Sequence, residues 1–332
     1  MDAGYSFRKM RYTEQVARLT EACEWLGIKQ GRAAQYGELI RELFEDDTRS
    51  RQHILAFGES CEVKDLFELW QARVTEFPGL VERMRTVLGK GPLLREDENP
   101  AASSNRPRND AFGYLVAGRL LAAGVPVVAV DGINARYAAW SSEADVTFQW
   151  NGSLFDIECK RPQSYATLGE RTAEAGAQIE RPSRQGRHGI IAVDCSALVR
   201  PAGTLLESGS VAAAMRLLSS KLERSIATRI ESRLTRSILG FLLFARVPAM
   251  IRVGRSQILK TSGEPIHHFR PDAISTWLVV SNAQYAGPDV LRSIASRLLE
   301  TTHRSNDSGP EREVSSAPSN FATENGNHER NL

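Results

Sequence analysis

The segment that decides the fold is residues 143–162, which read EADVTFQWNGSLFDIECKRP. Two strand-like runs, 144–150 and 154–160, flank the pair Asn151-Gly152. An Asn-Gly pair between alternating apolar residues is a strong signal for a two-residue hairpin turn. The sequence therefore predicts a β-hairpin over 144–160.

The second strand of this hairpin has apolar side chains on one face and charged side chains on the other. Successive side chains of a strand point to opposite faces. One face then carries the apolar residues Phe155, Ile157 and Cys159, and the other carries the charged residues Asp156, Glu158 and Lys160. The alternation predicts one face packed on a core and one face lined with charge.

The expected register brings two acidic residues together. The simplest pairing joins positions whose numbers sum to about 303, so that Asp145 faces Glu158. Opposed carboxylates repel unless a cation lies between them, and Mg²⁺ prefers carboxylate oxygens completed by waters and phosphate. A lysine on the same face, here Lys160, can orient or deprotonate a water and stabilise charge on phosphate. These groups together predict metal-assisted phosphodiester hydrolysis, with Mg²⁺ or Mn²⁺ as the cofactor.

The same residues resemble a known family. Asp145 followed by Glu158-Cys159-Lys160 is similar to the PD-(D/E)xK nuclease motif of the restriction-endonuclease-like fold, with Ala144 in place of the proline. The resembling region, 109–196, has a predicted helix, the hairpin, a second helix over 167–181 and an apolar strand over 188–195. The resemblance implies a nuclease domain with that order of elements.

The resemblance also implies roles for individual residues. Asp145, Glu158 and the carbonyl of Cys159 would bind the metal, and Lys160 would assist the attacking water. Gln178 is similar to a glutamine on the following helix of many members. Many members also carry a glutamate on the preceding helix, where this chain has Gly113, with Asp110 one turn earlier. A third acidic ligand is therefore left open.

Four arginines are candidates for contacts with a nucleic-acid backbone. They follow the motif in the sequence: Arg161, Arg181, Arg184 and Arg187. For the last three, a solvated loop is an equal alternative. The alternative for the whole motif is a surface ion pair between Glu158 and Lys160 on an exposed sheet face, with Asp145 only starting a strand.

Composition excludes several other classes. Lys+Arg is 42 and Asp+Glu is 40, a net charge of +2, which excludes a strongly basic coat-like nucleic-acid binder. The chain has no CxxC, HExxH, GxxxxGK[ST] or GxGxxG motif, which argues against zinc ribbons, zinc proteases, P-loop NTPases and dinucleotide binders. It has neither a signal-peptide pattern nor an apolar run of the ~20 residues that span a membrane. We expect a cytoplasmic protein without a membrane partner.

The expected fold is α/β: a restriction-endonuclease-like mixed central sheet flanked by helices, with a helical N-terminal region. The predicted parts are a helical region over 1–95, a polar linker over 96–108, the nuclease domain over 109–300 and a disordered tail over 301–332. Further predicted elements are a strand at 125–130, a helix at 211–236, and strands at 238–244, 249–253 and 277–280. The N-terminal helices are a candidate surface for protein contact or self-association.

The sequence thus predicts a Mg²⁺-dependent nuclease that hydrolyses phosphodiester bonds of nucleic acid, with DNA as the expected substrate. The alternative is a catalytically inactive nucleic-acid-binding or scaffold module on the same fold.

Overall fold

A computed structural model describes residues 3–45, 50–99, 106–138, 142–181, 184, 186–200, 204–258, 265–282 and 290–307. The helices are α1 (Ala3–Leu26), α2 (Arg32–Glu45), α3 (Arg51–Trp70), α4 (Leu80–Gly89), α5 (Arg106–Ala122), α6 (Tyr165–Ile179), α7 (Ser196–Val199), α8 (Val211–Leu222), α9 (Thr228–Ile230) and α10 (Val290–Asp307). The strands are β1 (Val127–Val130), β2 (Ile133–Asn134), β3 (Val146–Trp150), β4 (Ser153–Lys160), β5 (His188–Asp194), β6 (Leu206–Ser208), β7 (Ile238–Ile258) and β8 (Pro265–Ser281).

The strands form one mixed sheet in the order β2-β1-β3-β4-β5-β7-β6, with β8 paired to β7. Strand β3 is antiparallel to β1 and β4, whereas β4, β5 and β7 run parallel to one another. Helices flank this sheet, and α1 to α4 form a helical N-terminal region. The predicted α/β class with a mixed central sheet is confirmed.

The hairpin of β3 and β4 has the predicted register. Val146 pairs with Ile157 and Phe148 with Phe155, so paired positions sum to 303. Asn151 and Gly152 both have positive φ, 48° and 81°, as a two-residue hairpin turn of this type requires. The rings of Phe148 and Phe155 stack across the strands with centroids 5.2 Å apart. Turn chemistry and a cross-strand aromatic pair therefore fix the register together.

Each face of the sheet buries its own hydrophobic cluster. One cluster contains Ile157 and Ile190 together with side chains from α1 to α5 and α10. The other contains Ile191 and Val193 together with side chains from α6 and α8. Neighbouring residues of β5 thus point to opposite cores, as the strand period requires.

The N-terminal helices pack into the same core as the sheet. Asp65 of α3 accepts from Arg119 of α5 at 2.8 Å and from Arg246 of β7. Gly58 of α3 lies so close to the sheet that an added Cβ would be 2.7 Å from the Cβ of Pro248. Part of the predicted linker is also ordered structure, because Arg95–Asp97 form a 3-10 turn and α5 begins at Arg106; residues 100–105 lie outside the described residues. One hydrophobic core therefore contains residues from both sides of the predicted boundary between residues 95 and 109.

Three other elements differ from the sequence prediction. The strands predicted at 238–244 and 249–253 are one strand, β7, which contains Pro248. Pro248 lies between the segment paired with β5, which ends at Phe244, and the segment paired with β6, which starts at Ala249. A proline has no N–H to donate, so it is tolerated where a ladder is interrupted.

The other two differences concern helices. The helix predicted over 211–236 is α8, followed by a π-helical turn over Glu223–Ala227, α9 and a 3-10 turn over Glu231–Arg233. Helix α10 continues to Asp307, past the predicted start of the tail at 301, and residues 308–332 lie outside the described residues. Within the described part of the chain, no helix is both long and apolar enough to cross a membrane.

Candidate active site

The hairpin brings Asp145 to the carboxyl end of β4. Asp145 comes directly before β3, and its Oδ2 accepts a hydrogen bond of 2.7 Å from the backbone N–H of Cys159. The carbonyl of Asp145 accepts from the backbone N–H of Asp131, the residue after β1, at 2.8 Å. Both bonds hold Asp145 beside the last residues of β4, where Glu158 and Lys160 lie. We call Asp145, Glu158 and Lys160 the β4-end cluster.

The two carboxylates of this cluster lie close to each other, with Asp145 half-buried and Glu158 buried. Burial raises the pKa of Asp145, and the bond from Cys159 only partly offsets this. Burial also raises the pKa of Glu158, and the negative charge of Asp145 raises it further. The fold therefore holds two carboxylates at a place where full ionisation is unfavourable without added positive charge.

Lys160 is held by the following helix. Its Nζ donates to Oε1 of Gln178 on α6 at 2.6 Å and lies 3.6 Å from Oε2 of Glu158. Glu174, one turn earlier on α6, has Oε1 4.0 Å from the same Nζ. The structure thus brings together Asp145, Glu158, Lys160 and Gln178, all four of which the sequence singled out. Gln178 acts on Lys160 rather than on the carboxylates.

The charged face of β4 is not exposed: Glu158 and Lys160 do lie within ion-pair distance, at 3.6 Å, but not on an exposed sheet face as the alternative required. Asp156 and Glu158 are 1% and 2% exposed. A segment after α6 covers this face: Arg184 Nη1 lies 2.6 Å from Glu158 Oε1, and Arg187 Nη1 lies 3.3 Å from Asp156 Oδ1. Thr147 of β3 also donates to Asp156, at 2.7 Å. Asp156 and Glu158 thus each have partners from outside their own strand, but these do not bring the pKa of Glu158 back to its ordinary value.

The predicted phosphate contacts need correction for Arg161, Arg184 and Arg187. Arg161, whose side chain is 3% exposed, lies 3.0 Å from both Asp194 and Glu98. The guanidinium of Arg184 is buried against Glu158, and that of Arg187 binds Asp156. The sequence could not reveal this, because these partners lie on other elements. Arg181 alone of the four is well exposed, at 52% of its side chain, and lies 3.9 Å from Glu143.

A second buried cluster lies at the end of β5 and is made of Arg95, Glu98, Arg161 and Asp194; we call it the β5-end cluster. Arg95 Nη1 and Arg161 Nε lie 3.1 Å and 3.0 Å from Asp194 Oδ2. Burial acts to raise the pKa of Asp194, but the charges of Arg95 and Arg161 outweigh it and hold the pKa below its ordinary value. The positive charges of the two arginines therefore more than offset the effect of burial on Asp194.

Two acidic residues, Asp110 and Asp131, lie beside the β4-end cluster. The sequence left the role of Asp110 open and did not single out Asp131. Burial raises the pKa of Asp110 to about 6, with further contributions from the charges of Asp131 and Asp145. Asp131 accepts from the hydroxyl of Tyr114 at 2.9 Å. The sequence signal that could have identified Asp131 is the Asp-Gly pair, 131–132, directly after a buried strand. Asp110 and Asp131 add negative charge next to Asp145.

The donor set fits a Mg²⁺ ion held by two carboxylates. Among the described residues, no group of three or more His, Cys, Asp or Glu side chains is placed to hold a metal ion. Mg²⁺ does not need such a cage, since it is commonly bound by one or two carboxylates with waters and phosphate oxygens. Asp145 and Glu158 would supply those two carboxylates. The metal contact expected of the Cys159 carbonyl stays a prediction.

No family model, curated protein or solved structure matches this chain. The resemblance of Asp145 and Glu158-Cys159-Lys160 to the PD-(D/E)xK motif stays a prediction from the sequence.

Proposed function

We propose that this protein is a Mg²⁺-dependent nuclease that hydrolyses phosphodiester bonds of nucleic acid, with DNA as the substrate. The observation that carries the proposal is the β4-end cluster. A half-buried carboxylate, a buried one and a lysine meet at one end of a hairpin, and the pKa values of both carboxylates are raised. Perturbed carboxylates with a specific cationic neighbour are typical of functional sites.

The surrounding elements support a restriction-endonuclease-like fold for this domain. In chain order they are α5, β1, the β3–β4 hairpin, α6 and β5. This is the order of helix, hairpin, helix and apolar strand that the resemblance implies over 109–196. The strands of this unit are neighbours in the sheet, in the order β1-β3-β4-β5. This order of elements supports the nuclease interpretation of the motif.

Each residue of the cluster has a role that follows from its contacts. Asp145 and Glu158 would hold Mg²⁺ or Mn²⁺, which when bound lowers the pKa of a water and stabilises negative charge on phosphate. Lys160, 3.6 Å from Glu158, orients the attacking water and stabilises the charge that develops on phosphate. Gln178 positions the lysine, because its Oε1 accepts from Lys160 Nζ at 2.6 Å. Arg181, exposed beside this region, is the remaining candidate for contact with the nucleic-acid backbone.

The test is cleavage of plasmid and single-stranded DNA in the presence of Mg²⁺ or Mn²⁺. We expect the wild-type chain to cut, and Asp145→Asn and Lys160→Met to lose cleavage. Glu21→Gln is the matched control, because it neutralises a carboxylate in an exposed ion pair with Arg18 on α1. Cleavage that survives both site substitutions at the wild-type rate would overturn the assignment.

A second candidate function is supported by the two cationic contacts of Glu158. Arg184 and Lys160 already bring positive charge to Glu158 without a metal, as expected of a nucleic-acid-binding or scaffold module that has lost catalysis. Calorimetric titration with Mg²⁺ and Mn²⁺ separates the two functions. Absence of metal binding, with DNA binding retained, would favour the inactive module.

A further inference from the structure

Arg184 lies between two buried carboxylates of β4. Its Nη1 is 2.6 Å from Oε1 of Glu158, and its Nε is 4.0 Å from Oδ2 of Asp156. Glu158 and Asp156 are two positions apart in the strand, so they share one face of the sheet. A single guanidinium is therefore close to two carboxylates and bonded to one of them.

The present position leaves one polar atom of Arg184 unsatisfied. Nε is buried and has no hydrogen-bond partner among the described residues. A buried donor without an acceptor is unfavourable. Rotation of the guanidinium towards Asp156 would give Nε an acceptor and would free Oε1 of Glu158.

Asp156 can accept this additional contact. Thr147 and Arg187 approach its Oδ1 at 2.7 Å and 3.3 Å, whereas Oδ2 has a longer contact with Arg187, at 3.4 Å. An ionised carboxylate offers about four lone-pair sites on its two oxygens. Oδ2 of Asp156, the oxygen nearest to Arg184, therefore has capacity for another donor.

The backbone N–H and carbonyl of Arg184 are both hydrogen-bonded, so the change concerns the side chain. The backbone N–H of Arg184 donates to the carbonyl of Arg181 at 2.9 Å, and that of Arg187 donates to the carbonyl of Arg184 at 3.1 Å. These two bonds fix where the side chain starts. Movement between Glu158 and Asp156 then needs only rotation about side-chain bonds.

We propose that Arg184 is a built-in competitor of the metal: it binds Glu158 in the metal-free protein and transfers to Asp156 when Mg²⁺ binds Asp145 and Glu158. The proposal rests on the proposed function, since it assigns a regulator to the same metal site. A divalent cation beside Glu158 would repel a guanidinium bonded to that carboxylate, and the repulsion is strong where little water screens it. Asp156 provides the place to which Arg184 moves.

The test is calorimetric titration of the full chain with Mg²⁺ alone. We expect Arg184→Met to tighten Mg²⁺ binding about tenfold, because it removes the competitor. Arg184→Lys keeps a cation beside Glu158 and is expected to stay close to the wild type. The matched control is Arg187→Met, which removes the same charge from Asp156 rather than from Glu158 and should change the affinity much less. Thermal unfolding of each variant confirms that the folded protein is titrated.

A double-mutant cycle tests the second half of the proposal. Asp156→Asn should weaken Mg²⁺ binding in the wild-type background, because Arg184 loses the ionised carboxylate to which it would move. The same substitution should have a smaller effect when Arg184 is already Met. An independent readout is the Nε–H of Arg184 in NMR, which should become protected from solvent exchange when Mg²⁺ is added.

The outcomes separate this proposal from the proposed function. Loss of Mg²⁺ binding in Arg184→Met would show that Arg184 holds Glu158 in place, which overturns the competition and leaves the nuclease assignment intact. Equal changes in Mg²⁺ affinity in Arg184→Met and Arg187→Met would mean that the loss of any nearby positive charge has the same effect. That result would also overturn the competition. Absence of Mg²⁺ binding in the wild type and in folded Arg184→Met would overturn both proposals.

Discussion

The β4-end and β5-end clusters lie at the ends of neighbouring parallel strands, and each contains a buried carboxylate, but their charges are balanced differently. In the β5-end cluster, Arg95 and Arg161 hold the pKa of Asp194 below its ordinary value. In the β4-end cluster, the pKa values of Asp145 and Glu158 are raised despite the nearby Lys160 and Arg184. Buried charge alone therefore does not indicate function. The carboxylates that remain under-compensated mark the place where a cation would be favourable.

The strongest test of this contrast is the removal of Arg161. Arg161→Met leaves Asp194 and Glu98 with fewer partners in a buried environment. We expect the free energy of unfolding to fall by about 3 kcal/mol, towards the low end for a broken buried pair, because Arg95 and Arg108 remain. Urea unfolding followed by circular dichroism measures the loss. A stability within error of the wild type would mean that the β5-end cluster is not structural.

Removal of a charge from the β4-end cluster should lower activity rather than stability. Asp145→Asn is expected to lower the rate of DNA cleavage by at least about 100-fold, since it removes a proposed metal ligand. Stability at neutral pH should stay the same or rise, because the pKa of this carboxyl is raised and its ionised form is disfavoured. Cleavage assays and urea unfolding of the same preparation check both halves. A large loss of stability would remove the distinction between the clusters.

A smaller effect is expected at the residue that positions the lysine. Gln178→Leu removes the acceptor of the 2.6 Å bond from Lys160 Nζ. Hydrogen bonds to charged groups contribute about 1.5–3 kcal/mol, so we expect kcat to fall about tenfold, with little change in KM. Gln178→Glu, which keeps an acceptor at this position, should retain more activity than the leucine variant. Equal kcat values for wild type and Gln178→Leu would contradict the positioning role.

The smallest effect concerns pH and Asp110 in the metal-free protein. Burial together with the charges of Asp131 and Asp145 raises the pKa of Asp110 to about 6, and Arg106 and Arg83 partly offset this rise. A raised carboxyl pKa means that the folded state binds more protons, so the contribution of this group to stability falls as pH rises through about 4 to 6. Asp110→Asn should therefore gain stability relative to the wild type from pH 4 to pH 8. The gain should stay below about 1 kcal/mol, because the group is partly exposed and screened.

That pH profile has a clear control. Glu21→Gln removes an exposed carboxylate from an ion pair on α1. Its stability relative to the wild type should show no comparable rise between pH 4 and pH 8. A flat difference for Asp110→Asn as well would contradict a shared electrostatic environment of Asp110, Asp131 and Asp145.

Much of the candidate site could be predicted because its geometry is local. The Asn151-Gly152 turn and the hairpin register place Asp145 beside the end of β4, and the alternation of β4 puts Lys160 on the same face as Glu158. Gln178 could be predicted because it lies on the helix that directly follows β4 in the chain. The sheet order and the shared core of the N-terminal helices were not predictable in this way, since they depend on contacts between distant segments.

The sequence by itself determined the hairpin, its register and the residues that meet at its end, because turn propensity and strand periodicity act over a few residues. Only the tertiary structure decided which charges are available to a ligand. Arg161 and Arg184 looked like phosphate contacts in the sequence, but their carboxylate partners lie 63 and 26 residues away along the chain. Folding buries each arginine with its partner, and an unpaired buried charge is unfavourable. The under-compensated pair Asp145 and Glu158 is what remains for a cation.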